Sequence, residues 1–139
     1  MNIEKYTERA RGFVQAAQTM ALGKGHQQFS PLHMLKVLLD DDQGMASGLI
    51  DRAGGNSKAA RAAVDAALNK IPSVSGDASQ LYLTRELARV FETAESAAQK
   101  SGDSFVTVER LLLAMTVEKD TDAGKILASA GMTPQALNE

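Results

Sequence analysis

Gly102-Asp103-Ser104-Phe105-Val106-Thr107-Val108-Glu109-Arg110-Leu111-Leu112-Leu113-Ala114-Met115 reads as a helix stop, a tight polar turn, an apolar plug, a capping hydroxyl and a new apolar helix. Glycine stops a helix readily because it enters the left-handed region at no steric cost. A cruder copy lies earlier, Gly25-His26-Gln27-Gln28-Phe29-Ser30-Pro31-Leu32-His33-Met34-Leu35-Lys36-Val37-Leu38. Gly25 faces Gly102, Phe29 faces Val106, Ser30 faces Thr107 and Leu35 faces Leu112. The chain therefore reads as a doubled unit.

The doubling extends outward without a gap, at the constant offset that carries Thr7 onto Thr84. Further identities are Ala17/Ala94, Ala21/Ala98, Ala53/Ala130, Gly54/Gly131 and Ala59/Ala136, with conservative pairs such as Val14/Phe91, Met34/Leu111 and Ile50/Leu127. They fall on caps, stops and apolar positions, whereas a chance match would scatter them over exposed charges as well. The expected fold is all-α: two tandem four-helix repeats related by a pseudo-twofold and packed into one globular domain. Repeat one spans 1–70, a Pro/Gly/Ser linker 71–79 and repeat two 80–139. A solenoid normally needs about three repeats or more, so closure of one repeat on the other is expected instead.

Helix signals mark each unit. Thr7 caps a helix carrying Ala10, Phe13, Val14, Ala17 and Ala21; Ser30-Pro31 opens one whose face is Leu32, Leu35, Leu38 and Leu39. Met45, Leu49, Ile50 and Ala53 form a short helix, and Asn56 or Ser57 caps an alanine-rich one. In the second half Thr84, Thr107 and either Thr121 or Asp122 do the same work, and Thr133-Pro134 starts a last turn. Asp40-Asp41-Asp42 oppose the macrodipole at a helix end and are expected to begin the following turn.

Composition narrows the function. The chain has 139 residues, enough to hide roughly 65–70% of its unfolded surface without staples. It has no cysteine, which excludes disulfides and thiolate metal sites. A formal net charge of −2, with Lys and Arg scattered rather than striped, argues against nucleic acid or an anionic membrane as partner. The start of the chain is charged, and no apolar run approaches the length that would span a bilayer. A soluble, cytoplasmic protein is expected. With aromatics at 4% and no Trp, the core is expected to be Ala, Leu, Val and Met, with Met34, Met45 and Met115 inside it.

No enzyme constellation is visible. A GxxxxGK[ST] phosphate loop is absent, so this segment is not expected to hydrolyse ATP by that route. His26 and His33, seven positions apart, lack the spacing of a helical metal pair and are expected at the surface or in a cap; no metal or cofactor is expected. Asp103, Glu109 and Glu118 have no nucleophile for company. What remains is binding.

Two tandem copies of Gly-His/Asp-x-x-Phe/Val-Ser/Thr-x-x-x-x-Leu, each followed by a short helix and Ala-Gly, resemble the N-terminal repeat domain of Clp-type AAA+ chaperones. Thr7, the linker Leu68-Asn69-Lys70-Ile71-Pro72-Ser73-Val74-Ser75-Gly76 and the stretch Gly102–Glu109 place the resemblance nearest the ClpB-type disaggregases. The resemblance implies a domain that binds unfolded or aggregated polypeptide and helps deliver it to a hexameric AAA+ ring. It implies as partners the cargo, the ATPase modules of the same chain and a co-chaperone system. ATP and Mg belong to those modules, and hexamerisation with them; with no exposed heptad seam, the isolated domain is expected to be a monomer. Carried over by position, the polar site residues are Thr7, Asp103 and Glu109, and the groove positions are Thr93, Ala97 and Arg110. Where the family tends to place leucines in that groove, this chain is smaller and more polar, which implies weaker binding of bare apolar segments or a taste for acidic cargo.

Each of the three polar residues also has a plain structural role available. Thr7 can cap a helix, Asp103 a turn, and Glu109 can complement a helix dipole. A second reading is an adaptor-docking domain of a ClpC- or ClpA-type protease subunit. A third, a small DNA-binding regulator, fails because the helices after the turns carry Leu and Glu instead of a basic cluster.

Overall fold

The first turn of a helix leaves N–H groups without intrahelical partners, and at most of its helix starts this chain answers with a threonine or asparagine oxygen. The computed structural model describes residues 3–41, 43–73 and 81–137. In order these form a 3₁₀ turn (Ile3–Lys5), α1 (Glu8–Gly23), β1 (Gln28–Phe29), α2 (Pro31–Leu39), α3 (Met45–Arg52) and α4 (Ser57–Asn69). There follow β2 (Tyr82–Leu83), α5 (Arg85–Lys100), α6 (Val108–Val117), α7 (Asp122–Ser129) and α8 (Pro134–Leu137). Thr7 accepts from the Ala10 N–H at 3.1 Å and Thr84 from Leu87 at 3.1 Å. Thr107 accepts from Arg110 at 3.3 Å. The two open choices resolve to Asn56, which accepts from Ala59 at 3.1 Å, and Thr121, which accepts from Gly124 at 2.9 Å.

Helix ends repeat as faithfully. Gly25 and Gly102 sit at φ +72° and +76°, the left-handed geometry that ends α1 and α5. One residue on, the His26 N–H donates to the Ala21 carbonyl at 3.0 Å and the Asp103 N–H to the Ala98 carbonyl at 2.8 Å. These bonds turn the chain back so that α2 packs on α1 and α6 on α5.

Two short parallel pairings join the halves, a feature the all-α expectation did not contain. β1 lies beside β2, Gln28 against Tyr82 and Phe29 against Leu83, while Tyr6 bridges Val106. The shift that takes Thr7 to Thr84 also turns Tyr6 into Leu83 and Phe29 into Val106, so the second pairing is the first with the halves exchanged. The hydrogen bonds follow: Thr84 N–H to Phe29 carbonyl and Thr7 N–H to Val106 carbonyl, both at 3.0 Å. Each half thus lends its pre-helix residue to the corner of the other.

The core runs through the middle of this exchange. α2 buries Leu32, Met34, Leu35, Leu38 and Leu39; α6 buries Leu111, Leu112, Ala114 and Met115. Around them lie Val90, Phe91, Ile50, Val64 and Leu127, and Tyr6 meets Phe91 edge to face at 6.0 Å. Each fully buried leucine contributes about 1.5–3 kcal/mol relative to exposure, so these two helices carry much of the stability. Met34 and Met115 are buried as expected, and Met45 is half-buried.

Some expectations change. The fourth helix is unequal in the two halves, since α8 has 4 residues against 13 in α4. Residues 74–79 of the expected linker, and residue 80 after it, lie outside the described residues, although the Ser73 hydroxyl donates to the Lys24 carbonyl at 2.8 Å. Asp40 is the C-cap of α2 and opens the turn after it, where Lys36 one turn back reaches it at 2.8 Å and also reaches Asp65 of α4 at 2.6 Å. These hydrogen bonds, that to Asp40 first, raise the Lys36 pKa. Asp41 is in the turn, held by Arg9 at 2.8 Å, and Asp42 lies outside the described residues. Among the described residues no helix is long and apolar enough to cross a membrane.

Candidate functional site

The Tyr6–Val106 bridge brings the start of the chain against the α5–α6 corner, where most of the residues singled out from the sequence gather. Thr7 is half-buried, its hydroxyl committed to the Ala10 N–H and its own N–H to Val106. Its capping role is therefore real. Glu109 is exposed in the first turn of α6, where a carboxylate complements the dipole. Asp103 does not cap a turn through its side chain; it reaches seven residues along and accepts from the Arg110 guanidinium at 2.9 Å.

Beside this corner a cavity of about 500 Å³ opens between α5 and the 3₁₀ turn. Lys5, Glu95, Gln99, Asp103 and Phe105 line it, over a floor that includes Val106. Glu95 is held in place by the Tyr6 hydroxyl, which donates to it at 2.6 Å. Burial, reinforced by that bond and by the carboxylate's charge, pushes the Tyr6 phenol far above its usual pKa. Phe105 is 52% exposed although the residue after it is buried. By pattern Val106 is the plug, and nothing in the spacing singles out Phe105. A signal was present, because Phe105 stands where the first repeat has Gln28.

Thr93 and Ala97 line a separate trough of about 430 Å³ along α5, with Glu92, Ser96 and Lys100. Glu92 and Ser96 also border the larger cavity, so the two hollows share a ridge. The Thr93 hydroxyl donates to Glu118 at 3.1 Å, tying α5 to the end of α6. Arg110 does not line this trough, contrary to the expected grouping with Thr93 and Ala97, because Asp103 draws its guanidinium towards the corner.

The exchanged counterpart of the large cavity lies against α1, with about 420 Å³ between Gln18, Leu22, Phe29, Leu81, Leu83 and Phe91. There Gln18 and Leu22 stand where Glu95 and Gln99 stand in the other half. The same scaffold thus forms one polar cavity with an aromatic rim and one apolar groove.

The histidines are not at the surface: His26 and His33 are 2% and 0% exposed. Position 33 is the third residue of α2, from which the imidazole returns to accept the Ser30 N–H at 3.1 Å, so the cap half of the expectation holds for His33. Burial lowers the pKa of both. Among the described residues no group of three or more His, Cys, Asp or Glu is placed to hold a metal ion.

Comparison with known proteins places this architecture. The family model described as the Clp repeat (R) N-terminal domain matches residues 5–130. The chain is 63% identical to the chaperone protein ClpB of Rhodopseudomonas palustris over 139 residues, 99% of this chain and 16% of that protein. Against the ClpB of Rhizobium meliloti it is 60% identical, covering 100% of this chain and 16% of that one. The chain thus spans about one sixth of the length of these relatives. Among solved structures, the Hsp104 N-terminal domain from Candida albicans superposes with a TM-score of 0.81 at 24% identity, covering 96% of this chain and 86% of that one. The N-terminal domain of ClpV1 ATPase from E. coli gives 0.79 at 19% identity over 98% and 83%, a likeness of fold. With the matched family model, the ClpB relatives and the shared fold all in agreement, the chain belongs to the Clp repeat (R) N-terminal domain family and is a ClpB-type N-terminal domain.

Proposed function

We propose that the domain recruits unfolded or aggregated polypeptide for an ATP-driven ClpB-type disaggregase, holding an extended segment against the α5–α6 corner. One observation carries the reading. Phe105 stands half in water on the rim of a cavity whose walls mix hydroxyl, amide, carboxylate and ammonium groups with the apolar Ala98 and Val106. A single aromatic anchor with a polar surround gives contact without a large dry interface, which suits a site that must release its cargo. Asp103, Glu109 and Arg110 set the charge around the anchor, Thr7 fixes the turn opposite, and Thr93 and Ala97 extend the surface along α5. The segment itself performs no catalysis and binds no cofactor; ATP and Mg act in the ATPase modules of the full chain, which also carry the homohexamer. A co-chaperone system and a cytoplasmic setting complete the reading.

Titration of a permanently unfolded model polypeptide against the chain tests it. Phe105→Ser should weaken binding about tenfold, the loss of roughly 1.4 kcal/mol expected for a modest aromatic anchor. Arg110→Leu should strengthen binding of apolar segments; unchanged or weaker binding would count against a polar corner that limits affinity. Capture of a folded adaptor with indifference to unfolded chains would instead support the adaptor-docking role of a ClpC- or ClpA-type protease subunit.

A further inference from the structure

The corner of the first half holds a buried pair that the binding site does not use. His26 follows the helix stop at Gly25, and His33 lies in the first turn of α2. His26 Nδ1 and His33 Nε2 are 2.8 Å apart. His33 Nδ1 accepts the Ser30 N–H at 3.1 Å and so carries no proton, with the Ser30 hydroxyl 3.0 Å from the same nitrogen. His33 therefore keeps its proton on Nε2 and donates it to His26 Nδ1. Both basic nitrogens are already acceptors. A proton arriving at either must displace a hydrogen bond that holds the corner.

No opposite charge compensates, and only the Ser30 hydroxyl, 3.0 Å from His33 Nδ1, is placed among the named contacts to accept from a protonated ring. From the end of α1 the charged neighbour is Lys24, a cation that acts on both rings. From β1 the Phe29 ring packs at 6.2 Å from His33. From α4 and the segment after it come Leu68, Asn69, Ile71 and Ser73, beside His26. Among these described neighbours there is no carboxylate. At the matching positions of the second half stand Asp103 and Arg110, an exposed ion pair that carries its own compensation.

We propose that His26 and His33 form an acid-sensitive clasp, which keeps the α1–α2 corner closed while both rings are neutral and opens it when either takes a proton. Opening frees three attachments that converge there. The Ser30 N–H loses its partner, β1 loosens from β2 at Phe29, and the Ser73–Lys24 bond that pins the start of the linker is released. Phe29 is also a wall of the apolar groove on α1, so opening widens that groove. Burial, the first cause of the lowered basicity of both rings, holds the clasp shut at neutral pH and puts its opening in mild acid.

Amide hydrogen exchange and urea unfolding of the 139-residue chain, followed from pH 7.5 to 4.5, test the clasp. His33→Gln keeps an acceptor for the Ser30 N–H and a donor for His26 without a titrating ring. We expect the wild-type urea midpoint to fall as pH drops, and His33→Gln to flatten that fall. Amides at 24–30 should open, beyond their intrinsic pH effect, before those of the α5–α6 corner. Equal pH slopes for wild type and variant would overturn the proposal, as would simultaneous opening of both corners. Should His33→Gln fail to fold, the imidazole carbon-bound proton resonances of the wild type decide. Both rings staying neutral through pH 6 supports the clasp, and free titration of either near pH 6.5 refutes it.

Discussion

The two corners of this molecule, 25–38 and 102–115, share a backbone and differ in how they are fastened. Each has a left-handed glycine, a returning N–H bond and a residue bridged to the other half. Each also has a side-chain clasp between the residue after the glycine and the one seven positions on. In the first corner it is His26–His33, buried and neutral; in the second it is Asp103–Arg110, with 46% and 24% of the side chains exposed. A buried uncharged pair makes a corner rigid and dry, while an exposed ion pair lets water and other molecules reach it. The binding surface we propose lies on the wet corner, where an exposed ion pair contributes little to stability and can be exchanged for other contacts.

Substitution should separate the corners most sharply. His33→Ala leaves the Ser30 N–H and the His26 ring without their partner in a filled core, and we expect a loss of about 2–4 kcal/mol in urea unfolding. Arg110→Ala removes one exposed ion pair and should cost under about 1 kcal/mol. Equal losses would mean that the corners are fastened alike.

Solution conditions should sort them next. Burial lowers the His33 pKa from 6.5 to about 4. Its ring binds a proton more readily in the unfolded chain, so the stability it contributes is present above about pH 6.5 and is lost as pH falls towards 4. The full effect is on the order of 3 kcal/mol, read from unfolding curves at stepped pH. Raising salt from about 0.05 M to about 1 M at neutral pH should leave the first corner unmoved and speed amide exchange in 103–110, because exposed pairs are screened.

The caps provide a smaller and symmetric control. Thr7→Ala and Thr84→Ala each remove one hydroxyl acceptor, and each should cost about 1 kcal/mol in thermal or urea unfolding. A marked inequality would show that the two helix starts are held by different forces. If Thr7→Ala impairs the full machine without moving the melting curve, contact with cargo outweighs capping at that residue.

A further pair of substitutions probes a difference the offset hides. Gly124 corresponds to Ser47, yet a Cβ at Gly124 would press on the Glu118 and Met115 carbonyls. Gly124→Ala should cost on the order of 1–3 kcal/mol, because those backbone atoms cannot yield cheaply. Ser47→Ala, whose hydroxyl reaches the Leu39 carbonyl only at 3.5 Å, should change stability by under about 0.5 kcal/mol.

What was readable in advance follows from which forces are local. Thr7, Thr84, Thr107, Gly25 and Gly102 act within a turn, so their types and spacing reveal caps and stops directly. The exchanged pairings at Tyr6 and Phe29 are only one or two residues long, too short for an alternating pattern to show. The burial of His26 and His33 was hidden because a polar turn and a buried polar pair look alike until the partner ring is in place. Arg110 was grouped with Thr93 and Ala97 by position, but its tie to Asp103 runs across a corner, where helical spacing gives no guide. Phe105 was hidden by its neighbour, since of two adjacent apolar residues only one could fill the plug.

The most direct test of the binding role is an amide chemical-shift map of the labelled chain titrated with a permanently unfolded polypeptide. The account predicts perturbations concentrated at Lys5, along 92–97 and at 102–106, fading in Phe105→Ser. Perturbations centred instead on Leu22, Phe29 and Leu83, or none at millimolar polypeptide, would contradict it.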